Sequence, residues 1–134
     1  MDEQKIFMIV DDDLDDVAIF CEVMRDNFQD AFIIVAENGV DALQKLQGRT
    51  VPIPDCIFLD INMPKMDGKT CLGLLKKDEE LKHIPVVMYT TASCQQMKKE
   101  IKKLGATEFL TKQASFPKIR EDLLNVVQSI QVKF

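Results

Sequence analysis

The sequence predicts one doubly wound α/β domain, spanning residues 1–134, with a parallel sheet of five strands. Five short apolar runs, rich in Ile, Val and Phe, lack the polar alternation that is typical of half-exposed strands. The segments between these runs carry apolar residues at the three- and four-residue spacing of helices. The predicted strands are Ile6–Val10, Phe32–Ala36, Cys56–Leu59, Val86–Tyr89 and Phe109–Thr111.

The first and last helical segments show the helical spacing most clearly. The apolar stripe predicted for the first helix comprises Leu14, Val17, Ala18, Cys21, Met24 and Phe28. The last helix is predicted to begin at Ser115, a suitable N-cap, with Pro117 in its first turn. Gly39, Gly68 and Gly105 are expected in the turns between elements.

Alternation of strand and helix restricts the order of the strands. Five β–α units joined by right-handed crossovers permit a flavodoxin-like sheet of order 2-1-3-4-5, covered by helices on both faces. Ligands of such sheets bind beyond the carboxyl ends of the strands. The residues that follow each apolar run are therefore the candidates for function.

Composition excludes several classes of protein. No window has the eighteen or so unbroken apolar residues of a membrane helix, and the N-terminus lacks the features of a signal peptide, so we expect a cytoplasmic protein without membrane insertion. The net charge of −5 argues against direct binding of nucleic acid. The four cysteines form no C-x-x-C pair, which favours inert thiols over a zinc or redox site.

Acidic residues follow the first and third predicted strands. Asp11 and Asp12 come directly after the first strand, and Asp60 directly after the third. Carboxylates gathered at one edge repel one another unless a cation lies between them. Hard oxygen ligands suit Mg²⁺, or Mn²⁺ in its place. Asp13 suits either this site or the N-cap of the next helix.

A hydroxyl and an ammonium group follow the fourth and fifth predicted strands. Thr90 could donate a hydrogen bond to a phosphoryl oxygen, and Lys112 supplies a positive charge. Beside a metal, Asp60 is a reasonable nucleophile, because carboxylates form aspartyl-phosphate intermediates. Asp15 and Asp16 are expected to be surface acids favoured by the helix dipole, and His83 a surface residue.

These residues resemble the receiver domains of response regulators in two-component signalling. The resemblance extends from about Lys5 to Val127 and rests on four stretches that occur in the family's order. They are Ile9-Val-Asp-Asp12, Phe58-Leu-Asp-Ile-Asn-Met-Pro-Lys-Met-Asp-Gly68, Pro85-Val-Val-Met-Tyr-Thr90 and Gly105-Ala-Thr-Glu-Phe-Leu-Thr-Lys112.

The resemblance implies a role for each matched residue. Asp60 would be the phosphoacceptor, and the Mg²⁺ ligands would be Asp11, Asp12, Asp60 and the backbone carbonyl of Asn62. Thr90 and Lys112 would bind the phosphoryl group. Phe109 would move inward with Thr90. The surface of the fourth helix, fifth strand and fifth helix, roughly Cys94 to Val127, would then change its preference for partners.

Two positions depart from the family pattern. Gln113 follows Lys112 where the family usually has proline, often after a cis bond; a non-proline cis bond costs about 2.5–4 kcal/mol, so we expect a trans bond here. Thr91 follows Thr90 where the family normally has Ala or Gly. With Asn62 and Ala92, which border the approach of water, Thr91 is expected to tune access to the phosphoryl group.

The sequence therefore predicts a stand-alone phosphoacceptor switch rather than an enzyme, apart from its own phosphorylation and dephosphorylation. Its expected partners are a histidine kinase or phosphotransfer protein and a downstream target or next relay member. One alternative is a binding module of the same fold that is never phosphorylated. A second is an aspartate-nucleophile phosphatase, which requires an acid two residues after the nucleophile, where this chain has Asn62.

Overall fold

The computed structural model describes residues 4–91 and 95–132, with side chains up to residue 130. Strands and helices alternate along the chain. They are β1 (Ile6–Val10), α1 (Leu14–Asn27), β2 (Phe32–Ala36), α2 (Gly39–Gln47), β3 (Cys56–Leu59), α3 (Gly68–Lys77), β4 (Val86–Thr90), α4 (Gln95–Lys103), β5 (Glu108–Thr111) and α5 (Phe116–Val132). The first three strands have their predicted bounds, whereas β4 and β5 are each one residue longer.

All five strands pair in parallel in the order β2-β1-β3-β4-β5, which confirms the predicted topology. The pairing continues one residue beyond the strands. The amide of Asp11 donates to the carbonyl of Ala36 at 3.0 Å, and the amide of Asp60 donates to that of Val10 at 3.0 Å. These bonds fix the residues after β1 and β3 side by side at the carboxyl edge.

Two apolar cores lie on opposite faces of the sheet. One face packs against α2, α3 and α4, and the other packs against α1 and α5. Phe58 of β3 is fully buried in the second core, where its ring lies 4.8 Å from that of Phe20. Each such side chain stabilises the fold by roughly 1.5–3 kcal/mol, so the central strands hold the edge rigidly.

The buried face of α1 differs from the predicted stripe. The buried residues are Val17, Phe20, Val23 and Met24. Leu14 is 78% exposed, and Ala18 is exposed as well. The helix is therefore rotated relative to the prediction, because two large residues, Phe20 and Val23, take the core positions. Asp13 caps α1 by accepting from the amides of Asp15 and Asp16, so the N-cap interpretation of Asp13 is confirmed.

The outer strands also depart from the prediction of burial on both faces. In β2, Phe32 is 44% exposed, and every residue of β5 is only partly buried. Edge strands have one neighbour instead of two, which explains the difference. Gly39 and Gly68 begin helices instead of lying in turns, whereas Gly105 adopts a φ of 106° in the predicted turn after α4.

Cys56 and Cys71 are buried, as expected of inert thiols, and burial raises the pKa of Cys71 to about 12. Cys21 is half-buried, and Cys94 lies outside the described residues. Within the described ranges, no helix combines the length and the apolar character needed to cross a membrane. His83 is exposed, as predicted.

Candidate phosphoacceptor and metal site

Asp60 lies at the end of β3, the central strand of the sheet. Asp60 is only 7% exposed, and its Oδ1 accepts a hydrogen bond from the amide of Ile61 at 2.8 Å. The carboxylate is thereby oriented by the backbone while the opposite oxygen, Oδ2, remains directed towards the neighbouring strand ends. A carboxylate with one restrained and one available oxygen is suited to attack on a phosphorus atom.

The loop after Asp60 returns very close to it. A Cβ atom on Gly68 would lie 2.1 Å from the carbonyl oxygen of Asp60, so only glycine permits this approach. The amide of Gly68 also donates to the carbonyl of Ile61 at 2.9 Å, and Asp67 caps α3 through the amide of Thr70 at 2.8 Å. The first turn of α3 is thus fixed against the candidate nucleophile.

Three carboxylates converge at this edge. Oxygen atoms of Asp11, Asp12 and Asp60 all lie within 4.8 Å of one another. Asp11 is 2% exposed and its Oδ1 accepts from the amide of Asp13 at 2.9 Å, whereas Asp12 is exposed. Three hard oxygen donors with one open side fit a divalent cation that keeps part of its water shell. The chemistry of the set therefore agrees with the predicted Mg²⁺ or Mn²⁺ ligands.

Burial strongly affects the most enclosed of these carboxyls. Desolvation raises the pKa of Asp11 to about 6, although hydrogen bonds from Lys112 and Asp13 and the charge of Lys112 act in the opposite direction. The nearby charge of Asp60 adds to the rise. Burial thus disfavours the negative charge of Asp11, and a cation bound beside it would favour that charge again.

Lys112 points into the same cluster from the end of β5. Its Nζ lies 2.6 Å from Oδ2 of Asp11, 2.8 Å from Oδ2 of Asp16 and 3.5 Å from Oδ2 of Asp60. Burial opposes protonation of this side chain, but the bonds to Asp11 and Asp16 outweigh it and raise the pKa of Lys112. The ammonium is therefore permanently charged beside the candidate nucleophile. The Lys112–Gln113 bond is trans, because the described ranges contain no cis peptide bond.

Thr90 brings a hydroxyl to the end of β4, next to β3. Thr90 is fully buried, and its Oγ1 has no hydrogen-bond partner within residues 4–91 and 95–132. An unsatisfied buried hydroxyl costs roughly 1–3 kcal/mol, so such a group calls for an explanation. Because side chains alternate along a strand, Thr90 faces the same side as Met88, which belongs to the core under α2, α3 and α4.

The remaining predicted residues lie around this cluster. Phe109 is half-buried against the same core, with Nζ of Lys98 located 5.3 Å from its ring centroid. Asn62 and Thr91 are exposed at the edge. Ala92 lies outside the described residues, so its predicted role in access has no structural description.

Asp16 differs from its prediction as a surface acid. It pairs with Lys112, and its side chain is only 31% exposed. Asp16 lies four residues before Phe20 and seven before Val23, and therefore on the buried face of α1. A helical stripe drawn through Phe20 and Val23 would have shown that this acid faces the sheet.

The chain is similar to known response regulators over most of its length. Response regulator Rcp1 of Synechocystis sp. is 31% identical over 131 residues, which are 95% of this chain and 86% of Rcp1. The crystal structure of the Mn²⁺-bound form of Rcp1 matches with a TM-score of 0.84 and 28% identity over 91% of each chain. A CheX–CheY–BeF₃–Mg²⁺ complex from Borrelia burgdorferi matches with a TM-score of 0.76 and 29% identity, covering 92% of this chain and 89% of its own.

The family of response regulator receiver domains matches residues 7–124, which include every strand-end residue described above. The predicted resemblance and the predicted fold are thereby confirmed. The chain belongs to the response regulator receiver domain family.

Proposed function

We propose that the protein is a phosphoacceptor switch that takes a phosphoryl group onto Asp60 from a histidine kinase or a phosphotransfer protein. The observation that supports this most is the convergence of Asp60 with two further carboxylates and with Nζ of Lys112, 3.5 Å away, at one edge of the sheet. A purely structural strand end has no need of three clustered carboxylates, which repel one another.

In the proposed transfer, Oδ2 of Asp60 attacks the phosphorus of a phosphorylated histidine. The new P–O bond to Asp60 forms as the P–N bond breaks, and the histidine nitrogen leaves with its electron pair. Mg²⁺ bound by Asp11, Asp12, Asp60 and the carbonyl of Asn62 would neutralise charge on the carboxylates and the phosphoryl oxygens. Lys112 holds a fixed positive charge beside these oxygens.

Thr90 supplies the proposed response to phosphorylation. Its buried hydroxyl has no partner among the described residues and is next to the strand that ends in Asp60. A phosphoryl oxygen on Asp60 would provide the missing acceptor, so Thr90 would move towards it. Phe109, half-buried on the same side of the sheet, would follow into the space that Thr90 leaves.

The proposed output is a change in partner preference on the surface formed by α4, β5 and α5. This surface contains a cavity of about 250 Å³, lined by Lys98, Ile101, Lys102, Ala106, Thr107, Glu108 and Phe109. Movement of Phe109 would change the wall of that cavity. The partner would be a downstream protein or the next member of a phosphorelay.

Phosphorylation by a small donor tests this proposal without knowledge of the kinase. The protein incubated with acetyl phosphate and Mg²⁺ should gain the mass of one phosphoryl group, released by base as expected of an acyl phosphate. Chelation of the metal, or the substitution Asp60→Asn, should prevent the gain, whereas Asp26→Asn on the exposed side of α1 should not. A wild-type protein that gains no phosphate would favour the unphosphorylated binding module instead.

A further inference from the structure

The ammonium of Lys112 is held by three carboxylates, and Asp16 is the one that the family motifs do not include. Asp11 and Asp16 make the two short contacts, at 2.6 and 2.8 Å, while Asp60 is 3.5 Å away. The Lys112 side chain is only 7% exposed. Charge-assisted bonds of this length in a partly buried position are among the stronger polar interactions in proteins.

Asp16 differs from the other two partners in what else it does. Asp11 and Asp60 belong to the group of carboxylates that could hold a metal ion, and Asp16 does not. Asp60 is also the proposed phosphoacceptor. During metal binding and phosphorylation, the oxygens of Asp11 and Asp60 gain new partners. Of the three described carboxylates that pair with Lys112, Asp16 is the one that gains no new partner in these steps.

The position of Asp16 in α1 makes it a rigid anchor. Its amide donates to the capping oxygen of Asp13 at 3.2 Å, and the helix packs one and two turns later through Phe20 and Val23. The ring centroid of Tyr89 lies 5.6 Å from Nζ of Lys112. The ammonium therefore has two neighbours outside the metal-binding carboxylates, the Asp16 carboxylate and the Tyr89 ring.

We propose that Asp16 is a positioning residue that keeps the ammonium of Lys112 aligned with the phosphoryl site when Asp11 and Asp60 engage the metal and the phosphoryl group. The inference rests on the proposed function. Asp16 touches neither the metal site nor the phosphoryl group and acts only through Lys112.

The sign of the effect separates positioning from general electrostatics. Removing a negative charge near the site should strengthen the binding of an anion by lowering repulsion. Loss of the anchor should weaken anion binding, because Lys112 no longer occupies one fixed position. Asp15 is a matched control: it is exposed and carries the same charge in the same helical turn, and among the described residues it forms no hydrogen bond or ion pair with Lys112.

The test is titration of beryllofluoride, a phosphoryl analogue, into the full-length protein at saturating Mg²⁺. Asp16→Asn should raise the beryllofluoride concentration at half-saturation roughly tenfold, which corresponds to the loss of about 1.4 kcal/mol of charge-assisted bonding. Asp15→Asn should leave it unchanged or slightly tighter, and Asp16→Glu should restore part of the loss. The Mg²⁺ affinity measured without beryllofluoride should differ little between the two Asn variants.

Tighter beryllofluoride binding in Asp16→Asn, or equal binding in both Asn variants, would overturn the positioning role. A second readout does not depend on phosphorylation. In the metal-free protein, the side-chain ¹⁵N signal of Lys112 should show faster proton exchange in Asp16→Asn than in Asp15→Asn. An unchanged signal would overturn the anchor alone, whereas a wild type that binds no beryllofluoride would overturn the proposed function and this role with it.

Discussion

Removal of the Asp12 carboxylate should stabilise the metal-free protein and remove most of its response to Mg²⁺. The oxygens of Asp12, Asp11 and Asp60 lie within 4.8 Å of one another. At that distance two unit charges repel by roughly 3.5 kcal/mol at an effective dielectric of about 20, and by about 0.9 kcal/mol in water. Asp12 is exposed, so the lower value applies to it, and Lys112 offsets part of the charge on its two neighbours.

The expected gain for Asp12→Asn is therefore about 1 kcal/mol in the free energy of unfolding. For a chain of 134 residues, with an unfolding entropy of about 2.1 cal/mol/K per residue, this corresponds to a rise in Tm of about 3–4 °C. Mg²⁺ at ten times its Kd should stabilise the wild type by about 1.4 kcal/mol, because only the folded state presents the site. The variant should lose most of that stabilisation.

The assay is thermal unfolding with chelator and with millimolar Mg²⁺, for the wild type, Asp12→Asn and Asp26→Asn. Asp26 is exposed on α1, so its substitution provides the same chemical change away from the cluster. An Asp12→Asn protein that melts no higher than the wild type in chelator would contradict the repulsion among these carboxylates. An equal rise in the Tm of both variants with Mg²⁺ would contradict the role of Asp12 in the metal site.

Three further outcomes follow from the site. Burial raises the pKa of Asp11 to about 6 from its ordinary 3.8, so between these values the folded state binds more protons than the unfolded state. The free energy of unfolding of the metal-free protein should therefore fall as pH rises through that window, and urea unfolding of Asp11→Asn should show no such fall. Gly68→Ala should destabilise the fold by about 1–3 kcal/mol, since the added Cβ would meet the carbonyl of Asp60. Gly73 in the same helix has open space around it, so Gly73→Ala should stabilise the fold by roughly 0.5–1 kcal/mol. Thr91→Ala should speed both phosphorylation by acetyl phosphate and loss of the phosphate, with a tenfold change corresponding to about 1.4 kcal/mol in the barrier; unchanged rates would show that this side chain does not restrict access.

Much of the fold could be predicted because its signals are local. The buried central strands are continuous apolar runs, and Gly105 falls in a turn that needs a positive φ. Burial at the edges could not be predicted in this way, because Phe32 of β2 has the same apolar character as a central residue. Which strands become edges depends on the order of the sheet rather than on any single run.

The convergence of the strand-end residues was predicted from topology, whereas the partner of Lys112 was not. Asp16 belongs to a helix with two plausible apolar stripes, and the one through Leu14 and Ala18 directs Asp16 towards solvent. The structure selects the stripe through Phe20, whose ring packs on Phe58 of β3 in the core under α1 and α5. That choice is a matter of tertiary packing, so spacing within α1 alone does not decide it.

The residue that carries the phosphoryl group can be identified chemically. Reduction of an aspartyl phosphate with borohydride converts that residue to homoserine, which mass spectrometry of peptides can locate. After treatment with acetyl phosphate and Mg²⁺, we expect homoserine at position 60 and unmodified carboxylates at positions 11 and 12. Homoserine at another aspartate, or phosphate recovered on His83 instead, would contradict the assignment of Asp60 as the phosphoacceptor.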